Sequence, residues 1–76
     1  MKLDSSTVAT MTKSEAIALM DEAAREGDAS AFWLLAGILT ARLGPSSPLA
    51  EDLWAEAHSE NPNVERAMRL IRESFI

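Results

Sequence analysis

The stretch Phe32-Trp-Leu-Leu-Ala-Gly-Ile-Leu-Thr-Ala-Arg-Leu43 decides the fold of this 76-residue chain. Its first eight residues, 32–39, include no polar side chain. A helix that is apolar all round must be covered by other elements or by a second chain. The run is shorter than the roughly 18 apolar residues that mark a transmembrane helix. We therefore predict a central core helix and no association with a membrane.

Capping signals place three further helices around this one. Thr12-Lys-Ser-Glu15 matches a capping box, and Gly27 suits the left-handed residue that ends a helix. Asp28 or Ser30 is expected to cap the central helix, and later Ser-Pro and Asn-Pro pairs mark two more starts. The four predicted helices cover about residues 12–27, 28–43, 48–59 and 62 to near the C-terminus.

The predicted fold class is all-α: four short helices in two helical hairpins, in a repeat-like or bundle arrangement. No segment shows the alternation that is typical of a strand. Residues 1–11 are predicted to form a flexible N-terminal arm, from which Leu3, Val8 and Met11 can dock, and residues 12–76 a single helical domain. Gly37 lowers helix stability, so we expect a neighbouring helix to approach closely there.

Composition excludes several classes of protein. Twelve acidic and seven basic side chains give a net charge of −5, which argues against direct binding of nucleic acid. Without cysteine there is no disulfide or thiolate zinc site, and one histidine cannot build a metal site alone. We expect no cofactor. The first ten residues lack the apolar run of a signal peptide, which favours the cytoplasm.

A spacing of 34 residues relates two parts of the chain. Small, large and small residues recur at Ala16, Met20 and Ala23 and again at Ala50, Trp54 and Ala57. With Pro62, the second set resembles the second helix of a tetratricopeptide-type repeat. The set Phe32, Leu35, Ala36 and Leu39 is similar to the first helix of that repeat, with Ala where Gly is usual.

The run from Ala23 to Gly27, followed by Ala31 and Leu35-Ala36, looks like the Sel-one-like variant of this repeat. The resemblance covers about residues 16–75, although Arg72 stands where the family pattern has Gly. It implies a helical scaffold for protein–protein binding and no enzymatic activity. A plain four-helix bundle is the alternative architecture.

Three carboxylates share one face of the third predicted helix, at Asp52, Glu56 and Glu60. One interpretation is internal compensation by the arginines of the fourth helix, with Glu60 facing Arg66 and Asp52 facing Arg72. The other is an acidic strip that binds a basic surface and imitates nucleic-acid phosphates.

Large apolar residues are the remaining candidates. Phe32, Trp33 and Leu34 point in three directions, since successive residues in a helix are about 100° apart. One of them is expected to reach the surface and contact another chain, which favours a homodimer or an obligate partner. Trp54 is placed on the apolar face of the third helix, and is a candidate for core packing or for the interface.

No catalytic or phosphate-binding motif is present in the sequence. We expect a small cytoplasmic homodimer that binds one other protein and acts as an adaptor or inhibitor. The alternative is a nucleic-acid mimic, such as a phage-encoded inhibitor of a host nucleic-acid-binding or defence protein. A helix-turn-helix DNA-binding protein is disfavoured, because only three arginines of the last helix are available for a basic face.

Overall fold

The computed structural model describes residues 5–75, and the side chains of residues 6–74. The described residues form α1 (Ser5–Thr10), α2 (Lys13–Glu26), α3 (Ala29–Leu43), α4 (Pro48–Ala57) and α5 (Val64–Phe75). They contain no strand, which confirms the all-α class. The prediction of four helices was wrong, because part of the predicted arm forms α1.

Short helix α1 is attached to the rest of the domain by Arg42, near the end of α3. The Arg42 guanidinium donates hydrogen bonds to the carbonyl oxygens of Val8, at 2.8 Å, and Met11, at 3.1 Å. A basic side chain that reaches the last carbonyls of a helix satisfies acceptors that have no partner within the helix. Met11 is buried in the core and Val8 is half-buried, whereas Leu3 lies outside the described residues.

The boundaries of α2 and α3 follow the predicted caps. The Thr12 hydroxyl accepts a hydrogen bond from the Glu15 amide at 3.2 Å, and the Glu15 carboxylate accepts one from the Thr12 amide at 3.4 Å. This reciprocal pair confirms the capping box. Gly27 ends α2 with a φ of 73°, and the Asp28 carboxylate accepts the Ala31 amide at 3.1 Å to begin α3.

Helices α4 and α5 also begin at side-chain caps. The Ser47 hydroxyl accepts a hydrogen bond from the Ala50 amide at 3.4 Å, which confirms the predicted start of α4. Helix α5 begins at Val64, a little later than predicted, because the Asn63 side-chain oxygen accepts the Arg66 amide at 2.9 Å.

The four longer helices close on one another. Each of them contacts the next along the chain, and α5 also packs against α2. The largest fully buried side chains are Phe32, Met20, Leu35, Leu39, Leu53 and Ile71. This closed arrangement is that of a compact bundle, and membership of a helical-repeat family stays a prediction. None of the helices within residues 5–75 combines the length and apolar character needed to cross a membrane.

Helix α3 is not covered on every side. It packs mainly between α2 and α4, and Gly37 lies exposed on its free face. A Cβ atom added at Gly37 would meet no other atom within 4 Å. The predicted close approach of a neighbouring helix at Gly37 is therefore wrong within this chain. Ala36, the preceding residue, is the one that faces the core.

Candidate protein-binding surface

An open groove runs between α3 and α4. Its lining includes small side chains, one indole and two carboxylates: Ala41, Ala50, Ala55, Trp54, Glu51 and Asp52. The other lining residues, at the α3–α4 end, are Thr40, Gly44 and Pro45, so none of the described residues that line the groove is basic. Its chemistry is therefore apolar with an acidic border.

Trp54 is the most conspicuous residue of this groove. Its exposed fraction is 61%, so of the two interpretations of Trp54, core packing was wrong and the interface interpretation stays a prediction. The indole stacks on the His58 ring with centroids 4.2 Å apart and an interplanar angle of 24°. His58 is fixed in turn, because its Nδ1 donates to the Trp54 carbonyl oxygen at 2.9 Å. The exposed indole is thus supported from one side by a neighbouring ring.

Helix α4 buries only part of the face expected for it. Leu49, Ala50 and Leu53 are buried as expected, whereas Trp54 is exposed and Glu56 is buried. Burial of a carboxylate is costly unless hydrogen bonds compensate it. Here the Glu56 carboxylate accepts a hydrogen bond from the backbone N–H of Asn63 at 3.1 Å. It also lies 3.4 Å from the Arg66 guanidinium. These contacts compensate the burial of the Glu56 carboxylate, and we interpret them as the reason that Trp54 lies on the outer side of α4.

The predicted charge pairs have different partners in the structure. Arg66 pairs with Glu56 rather than Glu60, and Arg72 pairs at 3.3 Å with Asp21 of α2 rather than with Asp52. Glu60 lies beyond the end of α4, so helical spacing no longer relates it to the helix.

The three carboxylates of the proposed acidic strip therefore do not form one exposed row. Asp52 and Glu60 are exposed, and neither makes an ion pair within the described side chains. Glu56 between them is buried, with an exposed fraction of 7%.

Three consecutive residues at the start of the apolar stretch have different environments. Phe32 is fully buried, and Trp33 is half-buried with its ring edge-to-face against Phe32, at a centroid distance of 4.9 Å. Leu34 is exposed by 55%, as expected for one of the three. Leu34, Gly37 and Ala41 follow one another at helical spacing and share the free face of α3, which leads into the groove.

The opposite side of the bundle, between α2 and α5, combines apolar residues such as Ile17 and Met68 with paired charges. Asp21 lies between Arg25, at 3.0 Å, and Arg72, at 3.3 Å. Within the part of the chain that the structure describes, no group of three or more His, Cys, Asp or Glu residues is arranged to hold a metal ion.

Comparisons with protein-family models, with curated proteins and with solved structures found no match to this chain. The function proposed below therefore depends on the geometry and chemistry of the surface itself.

Proposed function

We propose that this chain is a non-catalytic module that binds another protein through the free face of α3 and the adjoining groove. We call this region the Trp54 surface and define it by the residues Leu34, Gly37, Ala41, Glu51, Asp52, Trp54 and Ala55. The observation that carries the proposal is the 61% exposure of the Trp54 indole. Exposed aromatic side chains beside apolar surface are characteristic of protein interfaces.

Two features make the Trp54 surface suited to binding. The stack on His58 holds the indole in place, so less side-chain freedom is lost when a partner covers it. The small residues Gly37 and Ala41 leave space above α3 in which the backbone of a partner can approach closely. Phe32 and Glu56, two of the predicted interface residues, are buried and are left out of this surface.

The proposed role is that of a cytoplasmic adaptor or inhibitor, whose effect comes from occupying a site on its partner. The predicted homodimer is the alternative occupant of the Trp54 surface. Light scattering distinguishes the two, because a dimer through this surface would dissociate on Trp54→Ala substitution.

The nucleic-acid-mimic hypothesis has weaker support. It requires a row of exposed carboxylates, and the middle residue of the proposed row, Glu56, is enclosed by the bundle. Protein binding through an apolar surface has a direct structural basis in Trp54 and Leu34, the two large apolar side chains classed as exposed in the described part of the chain.

Affinity capture with three matched baits tests the proposal. The baits are the unaltered chain, Trp54→Ala, and Glu22→Ala, which changes an exposed residue of α2 outside the surface. We expect the unaltered chain and Glu22→Ala to retain the same proteins from a lysate of the source cells, and Trp54→Ala to lose them. Identical sets with all three baits would contradict the proposal.

A further inference from the structure

The structure also indicates what kind of partner fits the Trp54 surface. We infer that its occupant is a basic amphipathic helix, with an apolar stripe against the groove and Lys or Arg residues along the flanks. This inference rests on the proposed function and specifies the chemistry of the partner.

The charge of the groove supports a basic occupant. Glu51 and Asp52 are exposed at the groove, and neither makes an ion pair within the described side chains. Helix α4 has no Lys or Arg, and the single basic residue of α3, Arg42, is bonded to the carbonyls that end α1. The described lining therefore carries two carboxylates and no Lys or Arg, while the Arg42 guanidinium is directed to the carbonyl oxygens of Val8 and Met11, in a chain of net charge −5.

The shape of the groove supports a helical occupant. Helices α3 and α4 are joined by only the residues 44–47 and pack side by side. The surface between two such helices accepts the apolar ridge of a third, which is a recurrent mode of peptide recognition. Small residues on both helices, Gly37 and Ala41 on α3 and Ala55 on α4, allow that ridge to approach. Trp54 supplies the large contact beside it.

A second copy of the chain fits the same surface less well. Two Trp54 surfaces placed face to face would bring the Glu51 and Asp52 carboxylates of both copies together, and like charges across an interface oppose association. On the other side of the bundle, Arg25 and Arg72 both pair with Asp21, so Arg69 is the arginine there that makes no ion pair among the described side chains. In α5, Ala67, Met68 and Ile71 are already buried within their own chain.

Selection from two displayed helix libraries tests this inference. Both libraries have the same randomised apolar stripe, and they differ only at the flanking positions, which carry Lys or Arg in one library and Glu or Asp in the other. The full chain is the target. We expect enriched binders from the basic library only, and their affinity is then measured by fluorescence anisotropy.

Two variants and one matched control locate the binding site. Trp54→Ala is expected to weaken binding by about 30-fold, the size typical of a hot-spot residue. Glu51→Lys with Asp52→Lys is expected to weaken it by about tenfold or more. The control, Glu22→Lys with Glu26→Lys, makes the same change in net charge on exposed residues of α2. We expect it to change affinity by no more than about threefold at physiological salt.

Four results would overturn the basic-helix inference: enrichment from the acidic library, enrichment from neither library, equal losses in the two charge-reversed variants, or full affinity in Trp54→Ala. If the unaltered chain forms a dimer and Trp54→Ala dissociates it, the occupant is a second copy and the basic-helix inference is wrong. That result would still support binding through the Trp54 surface. Partner capture that survives Trp54→Ala would instead contradict the proposed function itself.

Discussion

Helices α2 and α4 have similar sequence patterns, 34 residues apart, but bury different faces. In α2 the stripe of Ala16, Met20 and Ala23 is fully buried. At the equivalent large position of α4, Trp54 is exposed by 61%. In α4 the first small residue, Ala50, is still buried, together with Leu49, Leu53 and Glu56, so the buried face is turned by less than one residue step of about 100°. The same pattern therefore places its large residue in the core in one helix and on the surface in the other.

Glutamates at equivalent positions explain this difference. Glu22 of α2 and Glu56 of α4 are also 34 residues apart, and only Glu56 is buried. Glu56 has the Asn63 amide and the Arg66 guanidinium as partners. The spacing of apolar residues alone therefore does not determine which face of a helix turns toward the core. A polar residue can also be buried when the protein supplies its hydrogen-bond partners.

Substitution at the two large positions should give the largest contrast. Met20→Ala removes a fully buried side chain and is expected to lower the free energy of unfolding by about 2–5 kcal/mol. Trp54→Ala is expected to change it by no more than about 0.5 kcal/mol, because surface substitutions have small effects. Urea unfolding followed by circular dichroism measures both. Comparable losses at the two positions would show that Trp54 is part of the core.

The paired glutamates give the next contrast. Glu56→Ala should lower the free energy of unfolding by about 1–3 kcal/mol, since it leaves a hydrogen-bond donor without its acceptor. Glu22→Ala, the matched control on an exposed position, should stay within about 0.5 kcal/mol. Glu56→Gln keeps an acceptor for the Asn63 amide and should lie between them. Equal stability of the Glu56→Ala and Glu22→Ala variants would remove our explanation for the rotation of α4.

Gly37 gives a smaller effect of opposite sign. The methyl group introduced by Gly37→Ala would meet no other atom within 4 Å. The substitution should therefore raise the free energy of unfolding of the isolated chain by about 1 kcal/mol, because Ala has a higher helix propensity than Gly. For a domain of this size that corresponds to a rise in melting temperature of about 4–8 °C. Thermal unfolding measures this shift. A lower melting temperature would indicate that Gly37 is packed against another part of the chain.

Much of the fold was predictable from local signals. The capping box of Thr12 and Glu15 predicts the start of α2, and the left-handed Gly27 predicts its end. Asp28 and Ser47 predict the starts of α3 and α4. These signals act within a few residues, so the sequence contains all the information that they require. Helix α1 was not predictable in this way, because its attachment depends on Arg42, more than thirty residues away.

The candidate surface was only partly predictable. The apolar run implied that one residue near Phe32 would be exposed, and Leu34 is. The exposure of Trp54 and the burial of Glu56 depend on where the backbone between α4 and α5 places the Asn63 amide. The spacing of Asp52, Glu56 and Glu60 assumed a helix through residue 60, whereas α4 ends at Ala57. Helical spacing cannot relate residues on the two sides of such an end.

Acrylamide quenching of Trp54 fluorescence tests the central claim most directly. A Trp33→Phe background leaves Trp54 as the single tryptophan of the chain. We predict strong quenching in the dilute free chain, and protection once a helix selected from the basic library is added. An indole that is shielded in the dilute free chain, or that remains as quenchable in the complex, would contradict the assignment of the Trp54 surface as a binding site.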